Sequence, residues 1–299
     1  MQRLQIKFEG KAMRLLLLFC VSLFGSFSAA NAMVPREVLV RTLLISATGL
    51  GTSFTLDVDG RQYLITAKHI VSGLVDDTDG KIKIFHKSGW QEVSVHVFKC
   101  AEPVDIAVLV PTTLVTATSD LPLRAQSKGV FLGQDAYFAG FPFGEAKVFS
   151  DKEEVLPVVR KVVVAQFDCT QDPNAMQFVL DGFNNHGFSG SPFVYSDLNS
   201  PQHDGGANIV AGVIVNYKPE TAPVQKPVPI MAWEATQQDQ ENANIIHNSN
   251  GDYYRLVDTG FFVKSNSGLI GAWAIEPALE LIHKHPIGPL VTPVVQPTK

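Results

Sequence analysis

Cysteine is scarce, at three in 299 residues. A small scaffold stapled by disulfides is therefore excluded. Charge is sparse as well: 18% of residues, with 24 basic against 29 acidic side chains and a net charge of -5. A chain of that balance offers no broad basic surface to nucleic acid. Gly 23 and Pro 18 are close to average, which excludes collagen-like repeats and low-complexity disorder. There is no glycine-rich phosphate loop of the Walker or Rossmann kind. His283 and His285 lack a third partner at ligand spacing, so no metal and no cofactor are expected. No self-similarity at fixed period is present, which excludes solenoids and propellers. Only one segment approaches membrane length, and it lies at the N-terminus.

That segment, residues 1–32, reads as an address. Arg3, Lys7, Lys11 and Arg14 form a basic start. Leu15 to Phe27 is a mostly apolar stretch, and Ala30-Asn31-Ala32 is a small-x-small cleavage site. This is the pattern of a secretory signal peptide. The apolar run is shorter than the ~20 residues of a spanning helix, so no stable membrane insertion is expected after cleavage. The expected location is secreted or periplasmic. Cys20 would leave with the signal, and Cys100 and Cys169 would remain. In an exported chain that pair permits one disulfide, the alternative being two buried thiols.

From Val38 onward, short runs rich in Val, Ile, Phe and Thr dominate. They occupy 38–46, 52–58, 61–66, 81–86, 91–98, 105–110, 135–141, 155–167, 176–181, 192–195, 208–217 and 258–263. Turn residues such as Asp59-Gly60 and Asp79-Gly80 separate them. Many short strands with few helical periods indicate an all-β sandwich or barrel. Two stretches break the texture. Residues 218–257 carry Pro219, Pro223, Pro227 and Pro229 and then a polar tract, and read as a long insertion between strands, either a lid over a cleft or a surface loop. Glu276 to His285 reads as a helix, with Pro277 in its first turn and His283, Lys284 and His285 at its C-terminal end. Residues 286–299 read as a Pro-rich, extended or disordered tail.

Three local strings carry chemistry. YLITAKHIV (63–71) ends a β-run at His69, DIAVL (105–109) places Asp105 before an apolar strand, and GFSGSPFV (187–194) sets Ser189 between glycines. Each alone is ordinary turn chemistry. Together they supply a hydroxyl nucleophile, a base and an acid to orient the base, with glycines that leave backbone N–H groups open to a developing oxyanion. The chain order His, Asp, Ser is that of the chymotrypsin arrangement. Subtilisin-like enzymes run Asp, His, Ser and α/β-hydrolases run Ser, acid, His.

On these residues the sequence resembles the trypsin-like serine peptidases, in particular the bacterial branch of HtrA proteases and glutamyl endopeptidases. GTSFTL with YLITAKHIV, DIAVL, DAYFAGFPFG (135–144), GFSGSP, VAGVIV (210–215) and SGLIGAWAIEPALELI (267–282) carry the likeness. The resemblance implies two six-stranded antiparallel β-barrels with a C-terminal helix. The first would span 33–125, and the second 126–285 with the insertion 218–257. It implies Ser189 as nucleophile, His69 as general base, Asp105 as its orienting acid, and the N–H groups of Gly187 and Ser189 as the oxyanion hole. Phe183 or Asn184 would form the base of the substrate pocket, and Val215, Asn216 and Tyr217 would pair with an extended polypeptide substrate. It also sets Cys100 and Cys169 on loops at one side of the cleft, which makes a bridge between them an expectation. Phe188 stands where digestive relatives carry the aspartate that receives a new N-terminus on activation. Ser191 replaces the second glycine of the nucleophile loop. Residues 286–299 are too few for a PDZ domain. The expected function is serine endopeptidase, the alternative a catalytically silent module that binds extended peptides.

Overall fold

The computed structural model describes residues 34–117, 123–148, 155–169, 176–197, 207–241 and 244–291. The signal-peptide reading of 1–32 lies outside the described residues.

Six strands close the first barrel: β1 (Thr42–Ser46), β2 (Leu50–Val58), β3 (Arg61–Ala67), β4 (Thr78–His86), β5 (Gly89–Lys99) and β6 (Ile106–Pro111), in the order β1-β2-β3-β6-β5-β4. The β2–β3 hairpin has the predicted two-residue turn. Asp59 and Gly60 both take positive φ (50° and 71°), and Val58 faces Arg61, as a turn matched to strand twist requires. Asp79-Gly80 is not a turn; it lies inside β4, where the Asp79 side chain bonds His96. The expected strand over 38–46 is also corrected. Helix α1 (Arg36–Arg41) precedes β1. Pro35 leads into it, and Glu37 and Arg41 match the helix dipole at either end. Val38 is buried in the barrel core, and the buried Arg41 guanidinium pairs with Asp57.

After the two-residue β7 (Arg124–Ala125) come β8 (Asp135–Gly140), the short β9 (Lys147–Val148) and β10 (Val155–Leu156), β11 (Val158–Cys169), β12 (Met176–Asp181), β13 (Pro192–Asp197), β14 (Ala207–Ile230), β15 (Ile245–His247) and β16 (Tyr253–Ala274). The neighbours β16-β12-β11-β8-β13-β14 run antiparallel, and a further β14–β16 pairing closes them into a ring. This is the second barrel, and the architecture is the chymotrypsin-like pair of barrels.

The stretch 218–257 is not a loop. It is the continuation of β14 and the return of β16, paired from Pro219↔Asn266 to Ile230↔Tyr253. The turn region between them contains helix α2 (Gln237–Glu241) and β15. The prolines concealed this strand in the sequence. A proline is tolerated in a strand only where its missing N–H would face an open edge. Within each unbroken register, Pro219 and Pro223, then Pro227 and Pro229, share one parity, so each pair presents its ring nitrogens to a single edge of the strand.

Helix α3 (Glu276–Lys284) follows β16 where expected. Its buried Ala278 and Ile282 join a core cluster to which residues of both barrels contribute, so the helix ties the two barrels together. The segment beyond it does not trail away. Pro289 O accepts from Gln62 N (3.0 Å), Val291 N donates to Gly60 O (2.8 Å), and Leu290 bridges Arg61. Residues 292–299 lie outside the described residues. Among the described residues no helix is long and apolar enough to cross a membrane.

Cys100 is a free, buried thiol, and burial pushes its pKa up to about 12. The expected bridge to Cys169 is not formed at this residue, whose thiol sits in the apolar core of the first barrel. The Cys169 side chain lies outside the described residues.

His96 on β5 bonds Asp79 through Nδ1 (2.8 Å) and Asp77 through Nε2 (3.1 Å). Carboxylates only accept, so both bonds require the imidazolium, and the two partners, Asp77 first, raise its pKa. A raised folded pKa gives stability that is complete below the ordinary value of about 6.5 and lost as pH climbs through the raised one. His96→Ala is therefore expected to cost more stability at about pH 5.5 than at about pH 9, read by urea unfolding. An equal cost at both would count against this ion cluster.

Candidate active site

Strands β3 and β6 pair with Ala67 opposite Ile106. The antiparallel register brings the end of one strand beside the start of the other. His69 leaves β3 in a 3-10 turn (Lys68–Val71), and Asp105 stands just before β6. Asp105 uses both oxygens on one residue. Its Oδ1 accepts the His69 backbone N–H (2.9 Å), and its Oδ2 accepts from the ring Nδ1 (2.7 Å). A carboxylate cannot donate, so Nδ1 carries a proton, and in the neutral ring Nε2 is then the nitrogen with the free lone pair. Lys68 N donates to the Asp105 carbonyl (3.2 Å), which ties the two turns together again.

Ser189 comes from the second barrel, in the loop between β12 and β13. Phe188 anchors that loop. It is fully buried and meets Phe138 edge-on, with ring centroids 4.9 Å apart. Two glycines let the loop approach its neighbours. Gly187 has φ +100°, and a Cβ there would lie 2.2 Å from the Phe141 carbonyl oxygen. Gly190 has φ +89°, and its Cβ would lie 1.9 Å from the Thr52 carbonyl oxygen. Both the conformation and the space demand glycine. Ser191 is not among the residues of positive φ, so serine is accommodated there; its hydroxyl is buried and, among the described residues, without a partner.

Four successive carbonyls of this loop point into bonds. His186 O accepts from Phe143 N (2.6 Å), Gly187 O from the Thr52 hydroxyl (2.7 Å), Phe188 O from Ser191 N (2.9 Å) and Ser189 O from Thr52 N (2.8 Å). Among the described residues, the N–H groups of Gly187 and Ser189 donate to nothing. These are the two donors expected of an oxyanion hole. The Ser189 hydroxyl donates to the Val215 carbonyl (3.2 Å) and, among the described residues, makes no bond to His69.

The expected pocket residues separate. Phe183 is exposed, at 58%, whereas Asn184 is buried, at 3%. Asn184 Nδ2 donates to Asn216 O (3.1 Å), and the Asn184 carbonyl accepts from Asn266 Nδ2. Asn184 thus lashes the pocket segment to β14 and β16. Val215 is buried and Asn216 exposed. Tyr217 is half-buried and meets the exposed His186 ring edge-on at 6.1 Å. The sequence reading missed Thr52. Its strand also carries Ser53 and Thr55, so no local signal marks it out. Among the described residues no cluster of His, Cys, Asp and Glu could hold a metal ion.

The fold is thus a chymotrypsin-like double barrel that collects a serine, a histidine and an aspartate near its seam. No protein-family model and no curated protein matches the chain. Among solved structures it is similar to HtrA-type trypsin-like serine proteases. One is the HtrA-type protease AlgW with a tripeptide, at 17% identity over 87% of this chain, with a TM-score of 0.48. Another is an inactive form of Rv3671c from M. tuberculosis H37Rv, at 14% identity over 92% of this chain and 97% of that one, with a TM-score of 0.47. A third is Deg5, at 18% identity over 70% of this chain and 87% of that one, with a TM-score of 0.43. The chain spans 63% of the length of the AlgW structure.

Proposed function

We propose that this protein is a serine endopeptidase that hydrolyses peptide bonds through an acyl-enzyme. The observation that carries the reading is the Ser189 loop. Four successive carbonyls, His186 to Ser189, are engaged, and among the described residues the N–H groups of Gly187 and Ser189 are left unspent on either side of the fully buried Phe188. Such preorganised donors lower the barrier to acyl transfer where negative charge develops. In this reading, an extended polypeptide adds as a strand along Val215, Asn216 and Tyr217. Its backbone N–H takes over the Val215 carbonyl and releases the Ser189 hydroxyl. His69 Nε2 accepts the hydroxyl proton as Oγ attacks the scissile carbonyl, and Asp105 stabilises the imidazolium. The same imidazolium then protonates the leaving amine. Water, deprotonated by His69, hydrolyses the acyl-serine. Strand addition ends before Pro219, which has no N–H to offer. No carboxylate stands at Phe183 or Asn184, so the residue before the scissile bond is small, polar or apolar rather than basic. Residues 1–32 would export the chain to the periplasm or the exterior.

A fluorophosphonate probe tests the reading. It is expected to label the wild-type protein at Ser189 and to leave Ser189→Ala unlabelled. Failure to label the wild type, or equal labelling of both, would instead support a silent peptide-binding module.

A further inference from the structure

Resting on the peptidase reading, one residue outside the His, Asp and Ser set controls the geometry of the oxyanion donors. Thr52 lies on β2 of the first barrel and is fully buried. It reaches across to the Ser189 loop of the second barrel with two of its groups. Its N–H donates to Ser189 O (2.8 Å), and its hydroxyl donates to Gly187 O (2.7 Å). The hydroxyl direction is settled by a third bond. Phe141 N donates to Thr52 Oγ1 (3.1 Å), and the Gly187 carbonyl can only accept, so the hydroxyl hydrogen goes to Gly187. Thr52 O in turn accepts from the Thr66 hydroxyl (2.7 Å), which fixes the strand at this point.

Gly187 is the joint of the oxyanion loop. With no Cβ it has wide freedom in φ and ψ. The peptide before it is held by Phe143 N on the His186 carbonyl, and the peptide after it by the Thr52 hydroxyl on the Gly187 carbonyl. Pinning both planes removes the rotation that would turn the Gly187 N–H out of the site. We propose that Thr52 is a positioning residue, whose hydroxyl locks Gly187 so that the N–H groups of Gly187 and Ser189 converge on the substrate oxygen. The first barrel thereby sets the oxyanion geometry of the second, and correct docking of the two barrels is a condition of turnover.

Thr52→Val keeps the shape and removes the hydroxyl. It leaves Gly187 O and Phe141 N without their partner. The expected kcat on a peptide amide falls by about 30- to 100-fold, below the ~10²–10³ of deleting a donor outright. KM changes by less than about threefold, because the loss falls in the transition state. Binding of a peptide aldehyde, whose hemiacetal oxygen occupies the same position, weakens in parallel with kcat/KM. Thr52→Ser restores the hydroxyl and recovers most of the loss. Should Thr52→Val not fold, Thr52→Cys, with its weak S–H donor, takes its place. A purely structural role predicts a lower melting temperature with kcat unchanged, and that result overturns the proposal. The second arm needs no activity. In ¹⁵N-labelled protein, the amide signals of Gly187 and Ser189 are expected to shift or broaden in Thr52→Val and to return in Thr52→Ser. Unchanged amide signals overturn the proposal. Wild-type protein that hydrolyses nothing overturns the peptidase reading instead, while the amide signals still decide the role of Thr52.

Discussion

Replacing Asp105 by Asn is expected to lower kcat for peptide hydrolysis by about 10⁴-fold while leaving the fold intact. Asp105 gives one oxygen to the His69 backbone N–H and the other to ring Nδ1. Asparagine offers one acceptor and one donor. If its oxygen keeps the backbone bond, its NH₂ group faces Nδ1, which must then become the acceptor. The ring proton moves to Nε2, and Nε2 can no longer take the Ser189 proton. If the amide turns the other way, its NH₂ group opposes the His69 backbone N–H and the turn holding the ring is lost. Either outcome removes the base. The loss should fall in kcat, because neither arrangement disturbs Val215, Asn216 or Tyr217. Steady-state kinetics with a peptide amide, together with calorimetric melting, would show it. A loss of less than tenfold in a folded variant would contradict the role given to Asp105. A silent peptide-binding module would show no activity to lose and unchanged peptide affinity.

The second large effect is on stability. Phe188→Ala is expected to cost about 3–5 kcal/mol of unfolding free energy. Phe188 is fully buried and contacts Phe138 at a ring distance of 4.9 Å, within the second barrel's core. Removing the ring leaves a cavity that rigid strands cannot fill. The same change loosens the loop that carries Ser189, so activity should fall with stability. Phe188→Asp should cost more, since a carboxylate would enter an apolar core with no partner. Here apolar burial anchors the loop. Urea unfolding of the variants is the measurement. A cost below about 1 kcal/mol for Phe188→Ala would show that the loop is held by its hydrogen bonds alone.

The candidate groups were legible in the chain itself. The order His69, Asp105, Ser189 selected one arrangement among three, and the β-rich texture agreed with it. The structure sets His69 against Asp105 as that order suggested. The Asp59-Gly60 turn and the helix over Glu276–Lys284 were equally plain, because each depends on a few adjacent residues. Other elements were hidden. Val38 to Arg41 carries apolar residues that a strand would also use, and only the buried side of Val38 and the pairing of Arg41 with Asp57 distinguish the helix. The long ribbon was masked by its prolines, which break a central strand but not an open edge.

What the sequence alone determined is which groups are candidates for the proposed chemistry: a hydroxyl between glycines, an imidazole at a strand end, a carboxylate before a strand, and an aromatic anchor beside the hydroxyl. Those are properties of short segments, settled by residue type and local geometry. What only the tertiary structure decided is how the groups are held. Thr52 and Gly187 are 135 positions apart, and nothing local distinguishes that threonine from any other strand residue. Its role exists because two separately closed barrels dock closely enough for one backbone to bond the other, and a contact between distant segments leaves no pattern within either one.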